Sequence, residues 1–392
     1  MGEHVSTLSF ALCGNAGPYD EYNPYYVTEE TMRHRLLIEL NRQPLTLKEL
    51  ATRLSAREDD IEEHIAALIR CGLVEEVVVE GVKKFKPSFT ILLEDDVKTL
   101  RGIMTNISKD MFSIVKEEIE KVREVEHDLS CVKAGYYFRD LDYIVVVAYT
   151  LDYGALRVLS DEGYLVVAKE MPGGRRYVFS AIESSCVDLR KAWMWGHSER
   201  FGKYIFYTHG RLPPRPPRKA LPDLAWWWSL TGVSMDIVNK MMIDMGRVLE
   251  SLHLGRRNLE EMRQETGIDG EYLVVLVNNL YLMNYVDIKD NGVELKKPFL
   301  AREDVERIER LSEGLMHRIV KEVVERSWSL LKEAYSKTNP YRNGIALEEA
   351  FNFVYHLIFE RCADRLIREG IISEPSTMID GGKYSAWVAV EA

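Results

Sequence analysis

The chain lacks the short patterns by which catalytic chemistry is usually recognised. It has no His-Glu-x-x-His pair to set two imidazoles on one helix face for a metal, no nucleophile elbow, and no Gly-rich loop leading into a helix to hold phosphate. Gly14-Asn15-Ala16-Gly17 comes nearest to such a loop, but no lysine followed by serine or threonine stands where a phosphate loop needs it. His197, His209, His253, His317 and His356 could approach one another in a fold, yet a lone histidine on a helix is read first as packed or surface-exposed. Glu117-Glu118 and Glu348-Glu349 read as solvated helix faces, since paired carboxylates need a cleft as well as a spacing. The expectation is a protein with no catalytic set, no metal and no cofactor.

Other absences narrow the class further. Cys13, Cys71, Cys131, Cys186 and Cys362 have no paired spacing and follow no secretory signal, which points to buried free thiols in a reducing cytoplasm. No apolar run in the sequence approaches the length of a bilayer, the nearest being Ile144–Ala148, so no membrane partner is expected. Basic charge is also short. Lys and Arg number 51 against 62 Asp and Glu, a net charge of −11, so any contact with DNA must come from local basic patches.

What is present is helical periodicity. Three short patterns run Thr31–Asn41, Thr46–Ser55 and Glu58–Cys71, with apolar stripes Leu36, Leu37, Leu40, then Leu47, Leu50, Leu54, then Ile61, Ile65, Leu68, Ile69. Three stripes at this spacing can enclose one small core. Gly72 stops the third helix, and Leu73–Val79 turns at Glu80-Gly81 into Val82–Lys86, a two-stranded wing. The same pattern recurs. Leu47-Lys48-Glu49-Leu50 matches Leu259-Glu260-Glu261-Met262, and Ile61, Ile65, Leu68 and Val74 match Leu273, Val277, Leu280 and Val286. Lys86-Pro87 then falls on Lys297-Pro298, and Leu159–Gly163 on Leu366–Gly370. A period of roughly two hundred residues implies duplication of a whole domain, not a solenoid.

In Leu47-Lys48-Glu49-Leu50-Ala51 and the run Ile61–Val74, the chain resembles winged helix-turn-helix transcriptional regulators of the ArsR and MarR broad type. The strong likeness covers about a quarter of each half. It implies two winged helices joined through long flanking helices, here Asp95–Glu126 and Asp304–Tyr335, as a single-chain pseudo-dimer. It also implies third helices in a major groove, reached in this sequence by His64 in the first half and by Tyr272, Asn278 and Asn279 in the second. The first third helix, with Glu58, Asp59, Asp60, Glu62 and Glu63, is an unfavourable groove reader. The wings, with Lys83, Lys84, Lys86, Lys289, Lys296 and Lys297, are better placed for phosphates or a minor groove.

The remaining stretches complete the expected plan. Residues 1–30 read as an ordered aromatic arm packed on the body, not a helix, and residues 31–92 as the first winged helix. Residues 93–190 read as a long helix, then a buried helix over Tyr143–Leu159 and a hairpin over Tyr164–Ile182. Residues 191–235 form an aromatic connector with a stiff polyproline run from Arg211 to Lys219. Residues 236–301 give the second winged helix, and 302–392 the second long helix, a helix over Ala346–Glu369 and a hairpin over Ile371–Val390. Trp193, Trp195, Tyr204, Trp226, Trp227 and Trp228 crowd the connector, either as an aromatic core or as a cleft for a small-molecule effector.

The expected fold is therefore mainly α with small β-wings (α+β). The expected function is a cytoplasmic DNA-binding transcriptional regulator that meets duplex DNA. The alternative is a protein-interaction module that does not bind DNA and recruits a partner through its acidic helix at residues 58–71.

Overall fold

The computed structural model describes residues 7–186, 194–211, 221, 228, 231–290, 292–378 and 381–391. Trp193, Trp226, Trp227 and the proline run at 212–219 lie outside them. The described chain is mixed α and β, with several small sheets.

It opens with strand β1 (Leu8–Asn15) and a short helix α1 (Pro24–Val27). Within the first thirty residues, expected to be an ordered arm and not a helix, β1 lies antiparallel in a sheet, its partner some 170 residues away in sequence, and Pro24–Val27 is helical. Three helices follow, α2 (Thr31–Arg42), α3 (Leu47–Leu54) and α4 (Glu58–Arg70). Their apolar stripes meet as expected, with Leu36, Leu37, Leu40, Leu50, Ile61, Ile65 and Leu68 all buried in one core. A capping box starts α3: Thr46 Oγ1 accepts from the Glu49 N–H, and the Glu49 carboxylate accepts from the Thr46 N–H. The hairpin β2 (Val74–Val79) and β3 (Val82–Pro87) turns through Glu80 and Gly81, both at positive φ (52° and 78°), as a two-residue turn matched to strand twist requires.

Next come β4 (Thr90–Leu92), the long helix α5 (Glu94–His127), α6 (Ser130–Lys133) and α7 (Leu141–Asp161). The centre of α7, Ile144–Gly154, winds as a π-helix. By length and composition α7 could cross a membrane, but 78% of its apolar window is buried inside the fold, as expected of a core helix. Strands β5 (Lys169–Met171) and β6 (Arg175–Glu183) form the expected hairpin, and β6 carries β1 on one side and β4, parallel, on the other.

Residues 194–211, assigned above to a connector, instead form an antiparallel hairpin of β7 (Met194–Phe201) and β8 (Tyr204–Arg211). Helices α8 (Met235–Leu252), α9 (Leu259–Thr266) and α10 (Gly270–Leu282) lead into the hairpin β9 (Val286–Lys289) and β10 (Gly292–Leu295), then β11 (Phe299–Leu300). A second capping box, Asn258 with Glu261, starts α9. Helix α11 begins at Arg302–Ile319 and continues through a π turn, Val320–Val324, into Glu325–Tyr335. After α12 (Asn339–Arg342) and α13 (Leu347–Arg368) comes β12 (Lys383–Val390). Among the described residues the hairpin expected over Ile371–Val390 is a single strand with one isolated bridge, Thr377 to Lys383; β12 pairs instead with β8 along its length and with β11 at Val388 and Ala389.

Contacts divide the chain into two units, and neither is one continuous stretch. Unit 1 comprises Met1–Met111, Leu156–Ala192 and Ile319–Cys362; unit 2 comprises Phe112–Ala155, Trp193–Arg318 and Ala363–Ala392. In unit 1, buried Asp96 accepts from the Leu93 N–H at the start of α5, and from both the backbone N–H and the side-chain amide of Asn339 at the start of α12. In unit 2, Asp304 accepts from the Ala301 N–H at the start of α11, and from the N–H and hydroxyl of Ser130 at the start of α6. One carboxylate thus caps a long helix and fastens a distant short one in each unit. Also in unit 2, Arg318 of α11 pairs with Glu117 and Glu118 of α5 at 2.6 and 2.7 Å.

Replacing Asp96 or Asp304 by alanine leaves buried N–H donors without acceptors, and each change is expected to cost about 2–4 kcal/mol in urea denaturation. A loss under about 0.5 kcal/mol would mean that the short helices are held by packing alone.

Candidate interaction surfaces

The exposed face of α4 in unit 1 is acidic. Glu58, Asp59, Asp60, Glu62 and Glu63 are all exposed, and Arg57 reaches only Asp59, a pair open to water on both sides. The first three suit the positive end of the helix dipole; Glu62 and Glu63 lie beyond that turn and simply charge the surface. His64 is half-buried with Nδ1 enclosed and unbonded.

The β2–β3 hairpin of unit 1, expected above to be a wing, offers less free positive charge than the sequence promised. Lys83 pairs with Glu76 at 2.6 Å and lies over the Phe85 ring, while Lys84 is half-buried. Lys86 is committed to the fold, donating to the Asn343 carbonyl at 2.6 Å and pairing with Glu75. Its assignment to DNA is corrected on that ground. At the tip the exposed residues are apolar: Val78 (77% exposed), Val79 and Val82.

Unit 2 differs in kind. Helix α10 buries Leu273, Leu276, Val277 and Leu280, and on its opposite face exposes Val274, Val275 (50%), Tyr281 and Leu282 (69%). Positions 274, 275, 278, 281 and 282 share one side of a helix, so the exposed apolar groups form a stripe around Asn278. Tyr272 lies under the Lys240 ammonium, 4.9 Å from the ring centre, and Asn279 donates to the Val275 carbonyl within the helix. In the β9–β10 hairpin Lys289 is held by Asp287 and Glu294, and just after it Lys296 is exposed. Lys297 is only 9% exposed, and burial pushes its ammonium below the usual lysine range against the pull of Asp140. A buried lysine cannot reach a phosphate, so this assignment too is corrected.

The aromatic cleft does not assemble from the described residues. Tyr204 is buried, its hydroxyl donating to Glu250 at 2.5 Å and its ring lying edge-on to Phe299, which makes it a core residue. Half-buried Trp195 lies opposite Gly210, at the far end of the hairpin from Tyr204 and about 20 Å away along the strand. Trp228 is half-buried, its carbonyl closing a turn with Thr231. One cleft of about 350 Å³ in unit 1 is lined by charges of both signs including Arg42, Asp96, Glu183 and Arg342, with no aromatic ring.

No protein-family model matches the chain, and no curated protein is significantly similar to it. Among the described residues no group of three or more His, Cys, Asp or Glu side chains could hold a metal. The thiols are inert where buried: burial pushes Cys71 up to about 11 and Cys131 up to about 12. Cys13 and Cys186 are partly exposed, so the expectation of buried thiols holds for Cys71, Cys131 and Cys362.

Two buried polar features of unit 2 escaped the sequence reading. His209, fully enclosed, bonds Asp152 through Nε2 (2.9 Å) and Tyr143 through Nδ1 (2.8 Å), tying the π segment of α7 to β8. With no access for a substrate, the triplet acts as a tether. Near the end of α5 the Glu126 carboxyl, one oxygen enclosed without a partner, is pushed up to about 8, first by burial and then by Asp142. Between the ordinary glutamate value of 4.5 and about 8, the folded state keeps a proton that the unfolded chain has released. Stability is therefore expected to fall as pH rises through that window, by up to ~1 kcal/mol per pH unit. Glu126→Gln should flatten the fall in denaturation measured from pH 5 to 8; an unchanged slope would locate the proton elsewhere.

Proposed function

We propose that this chain is an internally duplicated winged-helix protein, a fused pseudo-dimer, whose third helices α4 and α10 bind protein partners and do not enter a DNA groove. The observation that carries this is the chemistry of those two faces. Five exposed carboxylates on α4 would be repelled by phosphates, while Val274, Val275, Tyr281 and Leu282 on α10 leave Asn278 as the polar reader at the centre of the stripe. An acidic face suits a basic partner segment, and an apolar stripe of this kind is what a protein interface buries. The duplication is supported by the repeated order of three helices, hairpin, short strand and long helix, and by the matching capping boxes and carboxylate hooks.

The second reading, a DNA-binding regulator, draws on the wing lysines Lys83, Lys84 and Lys296. Fluorescence anisotropy against a duplex pool across a salt series separates the two. The expected result is no duplex bound tighter than ~1 µM even at low salt. Tight, salt-sensitive binding lost on changing Lys83, Lys84 and Lys296 to alanine would overturn the proposal in favour of DNA. Partners retained by the wild-type chain should be lost with Val275→Glu plus Leu282→Glu, or with Glu62→Gln plus Glu63→Gln, at unchanged circular dichroism.

A further inference from the structure

The two larger sheets share one register. In unit 1 the Ser184 N–H donates to the Thr7 carbonyl, and β1 runs from Leu8 opposite Glu183 to Gly14 opposite Tyr177. In unit 2 the Glu391 N–H donates to the Lys203 carbonyl, and β8 runs from Tyr204 opposite Val390 to Gly210 opposite Tyr384. Even the glycines correspond: Gly14 and Gly210 both have φ above 100°, and a Cβ on either would press on the backbone of the paired tyrosine. Leu8, Phe10, Leu12 and Gly14 therefore stand where Tyr204, Phe206, Thr208 and Gly210 stand.

The sheets differ at one edge. In unit 2, Phe206, Thr208 and Gly210 turn their backbone groups away from β12 to β7, meeting Glu199, His197 and Trp195. In unit 1 no described strand lies there. By the alternation of an antiparallel ladder, Phe10, Leu12 and Gly14 direct their N–H and C=O groups outward; at Leu8 the outward N–H is taken by His34 Nδ1. The strand also lacks the devices that protect an open edge. Leu8–Asn15 contains no charged residue and no proline, whereas β7, an edge strand itself, carries Glu199 and Arg200.

We propose that β1 pairs antiparallel with β1 of a second copy of this chain, about a two-fold axis at Leu12. The chemistry selects this occupant. An uncharged edge is complementary to itself, and pairing centred on Leu12 sets Phe10 opposite Gly14 of the partner subunit, with up to about six main-chain hydrogen bonds. An aromatic side chain then covers the bare edge glycine, as Trp195 lies opposite Gly210 within unit 2.

Sedimentation velocity on the full chain tests this. The expected species has twice the 45.3 kDa chain mass, and the amides of Phe10, Leu12 and Gly14 exchange with deuterium on the order of a hundredfold slower than in the dilute monomer. Leu12→Pro removes the outward N–H, together with a partly buried side chain at the edge of the core, so the variant should be a monomer with circular dichroism close to wild type. A wild-type monomer at ~100 µM overturns the proposal, whether those amides exchange freely or are protected by another segment. So does a dimer that survives Leu12→Pro with protection unchanged. The amide measurement needs no variant, so a failure of Leu12→Pro to fold leaves the test intact.

Discussion

Each unit depends on a buried carboxylate that serves two masters. Asp96 and Asp304 cap the long helices they belong to, and each also supplies the acceptors for the first turn of a short helix some 170 to 240 residues away in sequence. Taking a carboxylate out of water is costly unless its oxygens are filled. Burial does raise Asp96 above the usual aspartate range, while the bonds from Asn339 and Leu93 pull it back. The arrangement therefore works only if the local cap and the distant helix are present together, which makes non-local chain pairing a condition of local helix ends.

The same logic explains what could be read from the sequence and what could not. Helices α2 to α4 and α8 to α10 were legible because their stripes, capping boxes and stop signals are local, and similar spacings occur in both stretches. The strands β1, β7 and β8 were not. Their partners lie far along the chain or behind a turn, and their Gly, Tyr, Trp and His content reads as loop or linker when taken alone. The carboxylate hooks did leave a trace: Leu92-Leu93-Glu94-Asp95-Asp96-Val97 and Leu300-Ala301-Arg302-Glu303-Asp304-Val305 align without a gap.

Among candidate site residues, the sequence identified side-chain chemistry but not availability. Lys83, Lys86 and Lys289 were seen as cations, yet each has a neighbouring carboxylate, and Lys297 is interior. Conversely the apolar face of α10 was hidden inside a pattern that is hydrophobic nearly all round, where only the fold separates the buried Leu273, Leu276, Val277 and Leu280 from the exposed Val274, Val275 and Leu282. The two helices that the proposed repeat would equate thus present opposite chemistries, one charged and one apolar, on similar backbones.

The interleaved make-up of the units bears on how the chain is made. Unit 1 draws on residues up to Ala192 and again on Ile319–Cys362, so its first three helices leave the ribosome long before the segment that completes it. At ordinary elongation rates that gap lasts roughly 10–50 s. Throughout it Asp96 has no Asn339 to bind, and the nascent unit carries an unfinished face. Co-translational folding of this protein is therefore bound to a wait, and a holding chaperone has a defined interval in which to act.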